Sequence, residues 1–510
     1  MQARPVKTQR PVMQNVLQRV LQSMEGFGMH RLDTGRIFQR PRHHVWLASC
    51  LVGVGLTACG GGSGSTTVAL SDALKVDTTY GEAGVATFPL GTPSFASLGV
   101  QPDGRLLIAG SRVAVPEAPS GFGSLLATQT FVVRMSADGN VDRGFGQNGE
   151  ARFSVKGYES ISDVRLQADG RILVAVQAHE PCFSPSYQTR CLTASGEPGT
   201  WHHTVVGLTA NGAVDSTFGT QGIAEGFLST NFSNLALAIQ PDQKPVLLTS
   251  NDRPILQVFG RSLRRLSADG IPDAAFNQPT ASQPPAPCEA SGAAVLALLA
   301  LRNGSIITAG QLGGRLYADP RSDPGLCVAV HAGATQAQTS GGWTSFGADL
   351  EEYQLASHPD GGFVVAARTC AGSDCHLSVA KFSANGALDT SFGDKGIERV
   401  ALPANYRLKS FFVQSDESMK AFGAIEESAA AGTTARRFRA VWTSLTGNGA
   451  LANNDTNVAT SIQDRPTSAE PREVLRDGAG RWLVISSEED SARNLVLKVV
   501  RTLGTSTGRS

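Results

Sequence analysis

The chain has 510 residues, too many for one ordinary domain but enough for a large repeat domain or several small ones. Its 44 lysines and arginines equal its 44 aspartates and glutamates, so no charge excess supports a nucleic-acid partner, whose phosphates need a basic surface. Hydrophobic residues at 41% and charged residues at 17% exclude a disordered chain, while 56 glycines and 25 prolines point to many turns joining short apolar runs, an all-β pattern.

Residues 45–56, VWLASCLVGVGL, form an uncharged apolar run preceded by Arg31, Arg36, Arg40 and Arg42. The run is long enough for the core of an export signal and too short to span a bilayer. It ends Leu56-Thr57-Ala58-Cys59, followed by a Gly/Ser stretch. This resembles the bacterial lipobox. The resemblance implies cleavage before Cys59, lipidation of Cys59, and a flexible tether over 59–67. Gly60, rather than an aspartate, after the cysteine resembles an outer-membrane address. Residues 1–58 are therefore expected to be signal peptide. Met29 offers a compact start, and an extended basic leader is the alternative.

The remainder, 68–510, repeats. VDRGFGQNG at 141–149 matches VDSTFGTQG at 214–222 and LDTSFGDKG at 388–396, with further copies at 75–84 and 271–278. QPDGRLLIAG at 101–110 returns at 167–176, 301–310 and 358–367, and more weakly at 240–248, 414–423 and 477–485. FVVRMSADG at 131–139 is echoed at 205–212, 263–270 and 379–386. The blocks keep one order, with a period of roughly 55 to 75 residues. They resemble the bacterial delta-60 repeat family, with its D-x-x-F-G and D-G-[KR]-[IL]-L-V-A-G signatures. That resemblance implies a β-propeller and no particular activity.

The residues lead to the same expectation independently. D-G between apolar runs is a hairpin signal because the turn needs positive φ. Each unit offers four such runs, in the first unit about 85–89, 95–101, 105–110 and 130–135. Four antiparallel strands per repeat make a propeller blade, and seven copies of the D-G block imply a seven-bladed β-propeller of four-stranded blades. A β-solenoid is the second choice, with rungs usually shorter than this period. The chain ends NLVLKVVRTLG at 494–504, a third block with no D-x-x-F-G after it, while 75–84 is a D-x-x-F-G-type block with nothing before it. The two ends are expected to complete one blade and seal a ring.

The repeated Asp142, Asp215, Asp273 and Asp389 read as turn caps rather than as catalytic or calcium-binding groups, because the calcium-like spacing at Asp138 is not kept in the other copies. Phe145, Phe218, Phe276, Phe346 and Phe392 read as plugs between blades. Adjacent His202 and His203 point to opposite sides of a strand and make a poor metal pair. No nucleophile elbow, phosphate loop or zinc cysteine cluster is visible. Cys50 leaves with the signal. With Cys59 taken up by lipid, six cysteines remain as three local couples, Cys182 with Cys191, Cys288 with Cys327, and Cys370 with Cys375, expected to be disulfides in an exported chain.

Repetition fails in the links 111–129, 177–203, 311–326 and 424–437. Alternating strand direction places these links on one face of the disk, and insertions confined to one face commonly bind partners. Phe122, Tyr187, Trp201, His202 and Tyr317 are the candidate contact residues. The expected protein is a non-enzymatic binding or scaffolding lipoprotein of the cell envelope. It is anchored in a membrane, with a protein or glycan partner and no cofactor, metal or nucleic acid. The alternative is a propeller enzyme, a carbohydrate lyase or hydrolase, working in the central channel.

Overall fold

A computed structural model describes residues 75–503 other than 92, 114–127, 156–157, 180–200, 230–232, 252–259, 278–293, 313–324, 336–337, 428–435, 453–459, 462–467 and 492–493. All of them belong to the compact unit 69–510. The described residues form 27 strands in seven antiparallel sheets and no α-helix.

The first blade shows the plan. Strands β2 (Pro93–Val100), β3 (Leu106–Val113), β4 (Thr128–Met135) and β5 (Glu150–Phe153) pair in chain order. Leu106 to Ala109 are completely buried because a blade is covered on both faces. Leu106 and Ile108 pack with Leu483, Ile485 and Val499 of the seventh blade, whereas Leu107 and Ala109 pack with Val164 and Val174 of the second. One alternating strand thus serves two interfaces, and each fully buried aliphatic side chain contributes about 1.5–3 kcal/mol.

The first strands of successive blades are β2, β6 (Tyr158–Leu166), β10 (Ser233–Ile239), β13 (Ala294–Ala300), β17 (Asp349–Ser357), β21 (Tyr406–Val413) and β25 (Glu470–Arg476). Each touches the next, and β25 touches β2, so seven inner strands close a ring around a central channel. The protein is a seven-bladed β-propeller. The third blade has three described strands, β10, β11 (Pro245–Asn251) and β12 (Gly260–Arg265), and 278–293, where a fourth would fall, lies outside the described residues.

The ring is sealed by both ends of the chain. Strand β1 (Val85–Gly91) is the outermost strand of the seventh blade, antiparallel to β27 (Leu495–Arg501), with Val85 opposite Val500. Val76 bridges Thr502, and the Leu503 amide donates to the Lys75 carbonyl. A solenoid cannot join its ends in this way. The repeating unit read from the sequence is therefore offset by one strand from the blade: the run at 85–89 completes the last blade instead of opening the first.

The D-G turns also differ in detail. The Gly104 amide donates to the Gln101 carbonyl, so Pro102 and Asp103 occupy the turn and Gly104, at φ +86°, follows it. A turn followed by a left-handed glycine is a hairpin solution that restores strand twist.

Candidate functional site

The repeated D-x-x-F-G block is built as a blade-to-blade clamp. Asp142 Oδ1 accepts from the Gly144 amide at 3.1 Å, and the equivalent atoms of Asp77, Asp215 and Asp389 accept from Thr79, Thr217 and Ser391. Its Oδ2 takes Arg134 Nε at 2.9 Å, and that guanidinium lies 4.6 Å from the centre of the Phe145 ring. Arg134 also donates to the Ala210 carbonyl of the next blade at 2.6 Å. Arg265 with Asp273 and Phe276, and Arg501 with Asp77 and Tyr80, repeat the arrangement.

The second blade has Gly207 where the first has Arg134. A Cβ there would lie 2.6 Å from the Phe218 ring, and Arg171 from the neighbouring strand supplies the cation to Asp215. The hydroxyls of Thr79, Thr217 and Ser391 are the largest influences holding Asp77, Asp215 and Asp389 below the ordinary carboxylate range. These aspartates are ionised structural acceptors. Phe145, Phe218, Phe276, Phe346 and Phe392 are all buried.

A different set of groups lines the channel. Three residues before the last residue of each inner strand stand Ser97, Asp163, Ala236, Ala297, Gln354, Ser410 and Glu473, one from each blade at the same register. In β6, β13, β21 and β25 a bulge immediately precedes this level. Asp163 Oδ2 accepts the Leu237 amide of the next inner strand at 3.3 Å, and Ser410 Oγ accepts the Val474 amide at 2.9 Å in the equivalent place. The position thus stitches neighbouring inner strands.

The Glu473 carboxyl at this level makes no hydrogen bond among the described residues. Burial pushes its carboxyl up to about 7, opposed by Arg165 and reinforced by Asp163. Burial also raises Asp163, against the pull of Arg165, whose Nη1 is 2.7 Å from it, and a bond from Ser97. Nearer the opposite mouth, burial raises Glu352, which accepts the Leu408 amide. Burial thus favours the protonated form of all three carboxyls. Among the described residues no group of three or more His, Cys, Asp or Glu side chains is placed to hold a metal.

The residues singled out in the sequence lie elsewhere. Phe122, Tyr187, Tyr317, Cys182, Cys191, Cys288 and Cys59 are outside the described residues. Trp201 and His202, read as part of a link, belong to strand β8 (Trp201–Leu208), opposite His179 and Ala178 of β7 (Ile172–His179). Here the strands run further outward than the repeat suggests, and the link between them shortens to 180–200. His203 is buried and its imidazole is pushed down to about 4 by that burial, whereas His202 is partly exposed. Cys327, in β15 (Gly325–His331), is buried and disulfide-bonded. Cys370 and Cys375 form a disulfide between β18 (Phe363–Ala371) and β19 (Asp374–Phe382).

No protein-family model matches the chain, and no curated protein matches it. Solved structures similar to it include a protein of unknown function from Dyadobacter fermentans, 12% identical, covering 82% of this chain and all of the other at a TM-score of 0.39. The NanB sialidase of Streptococcus pneumoniae is 11% identical over 84% of this chain and 69% of its own, with a TM-score of 0.36. Prolyl oligopeptidase B of Galerina marginata is 10% identical over 85% and 52%, with a TM-score of 0.39. Likenesses this distant carry no argument about activity, and the propeller rests on its own strand order.

Proposed function

We propose that this protein is a lipid-anchored cell-envelope propeller, of outer-membrane type and akin to the delta-60 repeat proteins, that binds a protein or glycan partner without catalysing a reaction. The observation that supports this most is the asymmetry of the two faces. Each inner strand runs into a short tight turn, and the Asp-x-x-Phe-Gly links return on that same face. The links 114–127, 180–200, 252–259, 313–324 and 428–435 join strands that end on the opposite face. Long non-repeating links gathered on one face of a repeat ring are a common basis for partner recognition.

Lys75 lies beside Leu503 on the short-turn face. The described chain therefore enters the ring on that face, opposite the long links. Two experiments test the reading. Cys59→Ala should abolish labelling with radioactive palmitate and release the protein from the membrane fraction. Cutting 114–127 and 180–200 down to tight turns should abolish capture of whatever partner the intact protein retrieves from envelope extracts. Unchanged capture by a folded variant overturns the assignment of that face.

The second reading, a channel enzyme, is favoured by the paired carboxyls of Asp163 and Glu473. It stays second because Asp163 does the same backbone stitching as Ser410.

A further inference from the structure

The short-turn mouth of the channel holds an open basin of about 460 Å³. It lies where the inner strands of the first four blades end, at Val100, Leu166, Ile239 and Ala300. Its size is within the range of small-molecule sites, about 300–1,000 Å³. Three departures from the repeat coincide in its wall.

The first is Gln101. The glutamines at the same position in the next two blades reach across to the following blade. Gln167 donates to the carbonyls of Gln243 and Ala268, and Gln240 to those of Gly304 and Gly333. Gln101 is equally enclosed, at 7% exposure, yet its Oε1 is buried without a partner. An enclosed polar atom left unpaired is destabilising, so a donor arriving there is well rewarded.

The second is Arg302. Six blades carry Pro102, Ala168, Pro241, Pro359, Ser415 and Gly478 at this turn position, and only the fourth carries a cation. Arg302 is exposed and makes no ion pair among the described residues.

The third is Gln243, which stands at φ +68° where five of the other six turns have glycine. Its side chain accepts the Ala168 amide at 2.6 Å and closes the wall between the second and third blades. A left-handed non-glycine residue of this kind costs stability and recurs at ligand clamps.

We infer that this basin binds a small hydroxylated carboxylate of the acidic-sugar type. The Arg302 guanidinium would pair with the carboxylate and the Gln101 amide oxygen would accept a hydroxyl, while the strand ends Val100, Leu166 and Ile239 would cover the carbon skeleton. A neutral sugar lacks the partner for Arg302, and a bare carboxylate lacks the donor for Gln101. The inference is independent of the long-link face and of the lipid anchor.

Isothermal titration of the full chain with galacturonate, galactose and acetate tests it. Galacturonate should saturate with a Kd of about 1 mM or tighter, with galactose and acetate at least about tenfold weaker. Arg302→Ala should weaken galacturonate binding by about tenfold or more. Gln101→Leu should weaken it by severalfold while leaving the melting temperature unchanged, because its Oε1 has no partner to lose among the described residues. Absence of saturable galacturonate binding up to about 10 mM, or wild-type affinity in either folded variant, overturns the inference.

Discussion

Glu473 offers the sharpest test of how the channel is held together. Its carboxyl has an ordinary value of 4.5 and is pushed up to about 7, with burial the main cause. Each tenfold change in proton affinity is worth about 1.4 kcal/mol, so ionising Glu473 in the folded ring costs up to about 3 kcal/mol, and water reaching the partly exposed side chain lowers this. Below about pH 4.5 the group is neutral in both folded and unfolded chains and contributes no pH dependence. As pH rises toward 7 the unfolded chain gives up its proton first, so stability falls, and the loss is complete above the folded value. Glu473→Gln removes this penalty. Urea denaturation should show variant and wild type nearly equal at about pH 4, and the variant more stable by about 1–3 kcal/mol at about pH 8. A difference that does not change with pH, or a variant less stable at the higher pH, would refute this account of Glu473.

Three further outcomes follow from contacts already described. Asp77→Ala strips the buried Arg501, whose side chain is 5% exposed, of its partner across the ring seam, and should cost about 3 kcal/mol in denaturant unfolding. The equivalent Asp389→Ala should cost only about 1 kcal/mol, because its partner Lys381 is 3.6 Å away and Asp389 is 31% exposed. Replacing Cys370 and Cys375 together with serine opens a short loop and should cost about 2 kcal/mol by the same measurement, with the midpoint moving and the slope unchanged.

The fold was legible in the sequence because the same short-range chemistry recurs in it. Glycines at positive φ, an aspartate that caps its own turn and an aromatic plug are fixed by local geometry, so Asp142 and Phe145 could be assigned from their copies at Asp215 and Phe218. Ring closure was legible because the blocks missing at one end are present at the other. The channel was not. Ser97, Asp163, Ser410 and Glu473 fall in the strand before each D-G turn, where the repeat varies most, and their common level appears only when each inner strand is counted back from its turn. The significance of Gln101 was hidden for the opposite reason. It matches Gln167 and Gln240 in sequence and differs from them in what it bonds. The limits of Trp201 and His202 were misjudged because loss of repetition was read as the end of a strand, whereas pairing with β7 continues through them.

The seam between β1 and β27 also decides how the ring responds to a pull. Tension applied along the axis of β1 would lie parallel to the strand and perpendicular to its hydrogen bonds with β27. The bonds from Val85 to Pro89 are then strained together in shear, instead of opening one at a time as in a zipper. Sliding β1 would also drag Asp77 away from Arg501 and lift Tyr80 from its buried seat. A chain tugged from its N-terminal side thus grips the ring most firmly at the place where the ring is joined.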